Sequence, residues 1–319
     1  MPHALLALLV TLVVVAPAAG AEVAVQTYDL PRGGGPHDVA VGPDGIVWYT
    51  AQRSGQLGRL DPGTGKVELV PLGRGAAPHG VVVGPDGAPW VTESGTNAIV
   101  RVDPKTRAVK SWPLPEARGY VNLNTLTFDR RGRVWFTGQN GVYGRLDPAT
   151  GELKVWDAPR GRGPYGIATT PDGAVYYASL AGSHIARIDL DTGAATVIEP
   201  PTRGQGARRV WSDSTGRIWV SEWNSGNLSR YDPKTGDWKA WRLPGDAPRA
   251  YAVYVDDRDK VWVSEWSANA MVRFDPETET FQAFPSDRRG ANVRQILGRP
   301  GEVWAPESGT DRLVVYRTK

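Results

Sequence analysis

The chain has 319 residues, with 37 Lys plus Arg against 34 Asp plus Glu, and 38 Gly, 26 Pro, 13 Trp and no Cys. The lack of cysteine excludes disulfides, thiol nucleophiles, cysteine-ligated zinc and lipid-anchored cysteines. A formal charge of +3, with basic residues scattered among carboxylates, argues against nucleic-acid binding, and the Gly-, Pro- and Trp-rich balance is that of a large all-β domain.

The first element is Met1 to Ala21. Leu5 to Val15 is almost entirely apolar and Ala19-Gly20-Ala21 is a small-x-small site, so residues 1–21 read as a cleaved signal peptide and the mature protein as periplasmic or secreted. The apolar run is too short to span a bilayer, and no membrane span is expected after cleavage. Glu22 to Leu30 then reads as a lone strand.

From there one pattern recurs seven times. Its clearest copy has Pro78-His79-Gly80, a Val81-Val82-Val83 run, the turn cluster Gly84-Pro85-Asp86-Gly87, Trp90-Val91-Thr92-Glu93, and a further strand ending at Asp103-Pro104. Aligned on the central aromatic, the copies fall at Trp48, Trp90, Trp135, Tyr176, Trp219, Trp262 and Trp304, spaced by 41 to 45 residues. That is the period of a four-stranded propeller blade. Short β-branched runs around a Gly-Pro-Asp-Gly cluster form a hairpin. Asp61 to Gly65 and Asp232 to Gly236 make the next turn: Asp bonds its own backbone, Pro fixes φ and Gly takes positive φ. No window keeps a helical period.

The last copy stops after a third strand at Leu313 to Arg317, so Glu22 to Leu30 supplies the fourth. The expected fold is a single seven-bladed β-propeller over residues 22–319, all-β, with four-stranded blades and the ring closed between the termini. Closure hides the sheet edges that an open array would expose. Calling the strands of each blade A to D from the channel outwards, a hairpin symmetric about Asp86 sets His79 opposite Glu93, both at the end away from the turn.

Equivalent strand-A positions carry His37, His79, Asn124, Tyr165, Arg208, Tyr251 and, after a one-residue deletion, Arg294. The opposing strand-B positions carry Ala51, Glu93, Gly138, Ser179, Glu222, Glu265 and Glu307. Scaffold positions repeat while these differ, so chemistry is expected at one mouth of the channel. Arg208, Arg249 and Arg294 converge there with Tyr251 and three glutamates; their planar forks suit an anionic or polar ligand, or neutralise the glutamates. Trp223 and Trp266 either stack on a ligand or pack between blades. His184, on strand C, is expected at the surface.

The repeats Pro-His-Gly, Pro-Asp-Gly, Trp-Val-Thr-Glu and x-Pro-Leu-Pro resemble the streptogramin B lyases, the virginiamycin B lyase-like family of seven-bladed propellers, over about residues 22–319. The resemblance implies opening of a cyclic depsipeptide ester by elimination, with a histidine as base and a magnesium ion (Mg2+) held largely by glutamates. Carried over by motif, His79 is the base, His37 assists from the preceding blade and Glu93, fourteen residues after His79, helps to hold the metal. Two departures stand out. Ala77 occupies the place of a glutamate ahead of Pro78, and the histidine pair sits in blades one and two whereas the lyases carry it in the last two.

Three functional readings follow: a metal-assisted lyase; a non-catalytic periplasmic module for a small-molecule or peptide-like polar ligand or a protein; and a metal-dependent lactone hydrolase with oxygen ligands such as Glu93 and Asn124. For each candidate a structural role stands beside the functional one: the histidines as remnants of the repeat, the glutamates as partners of nearby arginines. The mature protein is expected to be a monomer.

Overall fold

The computed structural model describes residues 23–318, so the proposed leader, Glu22 and Lys319 lie outside the described residues. Among the described residues, twenty-eight strands form seven four-stranded antiparallel sheets. Blades one to six each use four consecutive strands, as in Pro78–Val83, Pro89–Glu93, Ala98–Val102 and Val109–Pro113 of blade two. Blade seven joins Leu297–Arg299, Glu302–Glu307 and Arg312–Thr318 to the N-terminal Val23–Asp29, which pairs from Val23 opposite Thr318 to Asp29 opposite Arg312. The ring therefore closes as the repeat count requires.

The period-two signal is weak in strand B because neighbouring blades cover both of its faces. Every residue of Val47–Ala51, Pro89–Glu93, Val134–Gly138 and their equivalents Val175–Ser179, Ile218–Glu222 and Val261–Glu265 is buried. Outer strands such as Val109–Pro113 are largely exposed. Trp48, Trp135, Trp219, Trp262 and Trp304 are among the largest fully buried side chains. A buried indole N–H needs an acceptor, and the turn carboxylate supplies it: Trp135 donates to Asp129 at 2.8 Å, Trp219 to Asp213 at 3.0 Å and Trp262 to Asp256 at 2.8 Å.

One irregularity decides where the site lies. In blades one to six the A–B ladder shifts register after its first pair, as between Pro36 opposite Ala51 and Val39 opposite Tyr49, or Pro78 opposite Glu93 and Gly80 opposite Thr92. An added residue of this kind is a β-bulge, which twists the strand and re-aims its side chains. The expected pairing of His79 with Glu93 is thus corrected: Pro78 faces Glu93, and His79 lies in the bulge. In blade seven, Val293 bridges Glu307 and regular pairing resumes at Leu297 opposite Trp304.

Strand-B hydroxyls pin these bulges and tie the blades together. Thr50 accepts from Asp38 N at 2.9 Å and donates to His79 O of the next blade at 2.7 Å. Ser221 accepts from Arg209 N at 3.1 Å and donates to Tyr251 O at 2.8 Å; Thr92 and Thr137 do the same for Asn124 O and Tyr165 O. At the closing seam the equivalent residue is Pro306, and Gln295 N donates to His37 O instead, at 3.2 Å.

Candidate functional site

Because each of the six bulges sits at the channel end of strand A, His37, His79, Asn124, Tyr165, Arg208 and Tyr251 meet around one axis, and Arg294, beside the Val293 bridge of blade seven, joins them. The His37 and His79 ring centroids are 4.0 Å apart, His79 meets the Tyr165 ring edge at 6.3 Å, and the Tyr165 and Tyr251 hydroxyls are 3.0 Å apart. Arg208 donates to Tyr165 Oη at 2.8 Å and its guanidinium lies 3.7 Å from the Tyr251 ring centroid. Arg294 reaches Tyr251 Oη at 3.4 Å and Ser308 Oγ at 3.1 Å.

The bulge also turns the next residue inwards, a consequence that the repeat alignment does not reveal. His37 Nδ1 donates to Asp38 Oδ1 at 2.6 Å, a charge-assisted bond that leaves Nε2 as the lone-pair nitrogen of His37. Arg209, fully buried, sends Nη2 to within 3.5 Å of Asp38 Oδ1 and Nη1 to Thr125 Oγ1. Thr125 donates to Asn124 Oδ1 at 2.7 Å, which points the Asn124 amide nitrogen at His79 Nε2, 3.2 Å away. An amide N–H2 only donates, so His79 Nε2 accepts and the proton of the neutral ring resides on Nδ1. Gly166 leaves room for Arg209: a Cβ there would lie 2.6 Å from Arg209 Cα.

A readable signal marked Asp38 and Arg209. The position after the candidate is Gly80 in blade two and Gly166 in blade four, and it is these two residues that replace that glycine with a charge. Trp223 and Trp266 close the mouth over the same group: Trp266 stacks on Tyr251 at 4.8 Å, and Arg208 and Arg294 lie over Trp223 and Trp266 at 4.6 and 4.8 Å. Arg249 is exposed at the rim, bonding Trp223 O at 3.2 Å. His184 does not lie at the surface; it is buried beside Tyr177 and its Nδ1 is 3.1 Å from Gly182 O.

The four glutamates occupy a different place, at the loop after strand B. Glu93 accepts from Gly95 N at 3.2 Å, Thr96 N at 2.6 Å, the Thr96 hydroxyl and Ala77 N. Glu265 accepts from Arg249 N at 2.6 Å, Ser267 N at 3.0 Å and Ala268 N. Glu222 takes the Ser225 hydroxyl, and Glu307 takes Ser286 and Thr310 hydroxyls and Arg312 Nε at 2.8 Å. These carboxylates satisfy buried loop N–H and O–H groups. The Ser or Thr three residues after Glu93, Glu222 and Glu307 was the sequence sign of that role.

Electrostatics follow from burial and three guanidiniums. Burial, then Arg294, Arg209 and Arg208, hold His37 well below its ordinary pKa; burial and His37 do the same to His79, so both are neutral near neutrality. Burial raises the Asp38 carboxyl against the pull of Arg209. Burial pushes the Tyr251 phenol up, but Arg208, Arg209 and Arg294, with the hydrogen bond from Tyr165, overcome it and bring it down to about 7. Burial and the adjacent Tyr251 push Tyr165 up to about 12.

His37, Asp38 and His79 form a buried group that could hold a metal ion, with ligand atoms all within 4.8 Å. Its chemistry does not fit Mg2+, which takes oxygen ligands in octahedral geometry; two imidazoles and one carboxylate suit first-row transition ions. The glutamates that would supply oxygens are engaged in their loops.

Comparison with known proteins follows the same lines. The chain matches the Virginiamycin B lyase family over residues 17–236. Virginiamycin B lyase from Staphylococcus aureus superposes with a TM-score of 0.86 at 22% identity, over 93% of this chain and 100% of that one. A streptogramin B lyase structure gives 0.85 at 24%, covering 93% and 98%. A catalytically inactive form of the Staphylococcus aureus enzyme with quinupristin gives 0.86 at 22%, covering 93% and 100%. No curated protein matches the chain. At these identities the superpositions establish the shared fold. Blade count, strand pairing and the length of the sequence match lead to one conclusion: the chain belongs to the virginiamycin B lyase family.

Proposed function

We propose that this propeller is an exported lyase acting at the channel mouth, opening a cyclic ester or a related polar substrate by elimination. The observation that carries the reading is the neutral, Asp38-oriented His37 beside a cluster of cationic donors in one channel. His37 Nε2 takes the proton from the carbon beside a carbonyl, the electron pair left behind forms a C=C bond as the C–O bond on the next carbon breaks, and the ester group leaves as a carboxylate on the opened chain, while Asp38 stabilises the imidazolium that forms. Negative charge developing on the carbonyl oxygen is met by Arg209 and His79 Nδ1, fixed donors in a site shielded from water. Thus the geometry favours His37 as base and His79 as donor, reversing the roles the motif implies. Arg208, Arg294, Trp223 and Trp266 present the polar and aromatic surface for the rest of a small-molecule or peptide-like substrate.

The oxygen-rich set of a lactone hydrolase is not assembled among the described residues, since Glu93 serves its loop and Asn124 serves His79. A non-catalytic binding module is favoured by a different observation. His37 and His79 are only 3% and 5% exposed beneath the arginine and aromatic layer. Product analysis on streptogramin B and lactone substrates separates these readings: elimination leaves an unsaturated fragment, and hydrolysis a free hydroxyl. His37→Ala is expected to lower turnover by about 10²- to 10⁴-fold. Wild-type protein that turns over none of them would favour the binding module, and turnover indifferent to His37 would reject His37 as the base.

A further inference from the structure

Arg209 makes poor use of its own guanidinium. It is fully buried, Nη1 is taken by Thr125, and both Nε and Nη2 lack a hydrogen-bond partner. His79 Nδ1, the proton-bearing nitrogen deduced above, is likewise buried and unpartnered. Both residues pack against Tyr165: the Arg209 guanidinium lies 4.9 Å from its ring centroid and the His79 ring 6.3 Å. Buried N–H groups are costly to leave unpaired, more so on a charged group, so these three orphaned donors, two of them on the guanidinium, call for an acceptor. Asp38 is not that acceptor, because Oδ1 stands 3.5 Å from Nη2 and is already held by His37 at 2.6 Å.

The nature of the acceptor follows from shape and charge. Nε and Nη2 form one edge of the guanidinium, whose two parallel N–H bonds match the two oxygens of a carboxylate. Arg209 lies 3.5 Å from one carboxylate, Asp38, while Arg208 and Arg294 sit on Tyr251, whose phenol is neutral below about pH 7, so three guanidiniums meet one carboxylate there and an added monoanion improves the local balance whereas a cation worsens it. We propose that the channel binds the carboxylate of a small organic acid, its two oxygens on the Nε–Nη2 edge of Arg209 and one of them also accepting from His79 Nδ1. This goes beyond the lyase reading: the acid takes the donors given there to the carbonyl oxygen, and so competes with the ester substrate for them. Binding and turnover are scored separately, so either can fail alone.

Titration calorimetry of the mature protein with formate and acetate, in chloride-free buffer, tests it. The expected result is saturable binding that weakens about tenfold or more in Arg209→Lys, which keeps the charge and loses the fork. Absence of saturable binding, equal binding by Arg209→Lys, or equally tight binding of chloride, which cannot use a fork, would each overturn the proposal. Should Arg209→Lys not fold, a crystal of the wild-type protein grown with formate decides: formate on the Arg209 edge supports it, and water or the Asp38 carboxylate there rejects it.

Discussion

A phenol ionises near neutrality only where positive charge outweighs the cost of burying its anion, and Tyr251 has Arg208, Arg209 and Arg294 for this purpose. The sign follows directly: below about pH 7 the Tyr165 and Tyr251 pair carries two protons, and above it one, with Tyr165 donating to the Tyr251 phenolate. Ultraviolet difference titration should therefore show one phenolate appearing near pH 7, well before the bulk tyrosines at about 10. The Tyr251→Phe variant should lose that step, and Arg208→Met should move it upwards. A titration with no phenolate below pH 9 would remove the arginine cluster from any account of the site's charge. At this scale the sequence was partly legible. His37, His79, Tyr165, Tyr251, Arg208 and Arg294 could be aligned because they occupy one repeat position, whereas Asp38 and Arg209 were marked only by a charge at a position that is Gly in two other blades, and strict alternation, which the bulge suspends, would have turned them away from the channel.

At the scale of the element, the hairpin of each blade separates two jobs that an unbroken ladder would have merged. The bulge sends the strand-A residue into the channel, and the strand-B glutamate turns to the following loop. Glu93 illustrates the energetics, since it is buried and accepts from three backbone N–H groups and a hydroxyl. Glu93→Ala should destabilise the fold by on the order of 3 kcal/mol, by leaving those donors unpaired. Chemical denaturation would show this as a lower midpoint with an unchanged slope. A loss below about 0.5 kcal/mol, the range of ordinary surface substitutions, would mean that the loop finds other partners and would free Glu93 for a ligand. The hairpins themselves were legible from Gly-Pro-Asp-Gly clusters and β-branched runs. Their register was not, because two-residue periodicity carries no mark of a single inserted residue when both faces of the strand are buried.

For the whole molecule, stability and the site depend on the same seam. Val23–Asp29 pairs along all seven residues with Arg312–Thr318, and Gln295 N meets His37 O across the junction of blades seven and one. Removing residues up to Asp29 should lower the thermal midpoint by at least about 5 °C and promote association through the bared edge. Scanning calorimetry and light scattering would show both, and a truncated protein that associated no more than the intact one, with its midpoint unmoved, would mean that blade seven stands without its fourth strand. By itself the sequence determined the number of blades, their four-strand composition and the closure between termini, since these follow from a period, from turn chemistry and from one missing strand. Only the tertiary structure decided which side chains share a cavity. His37, Tyr165, Arg209 and Tyr251 are neighbours because the twisted sheets point the bulged ends of their inner strands at one axis, and local pattern holds no measure of distance across a ring.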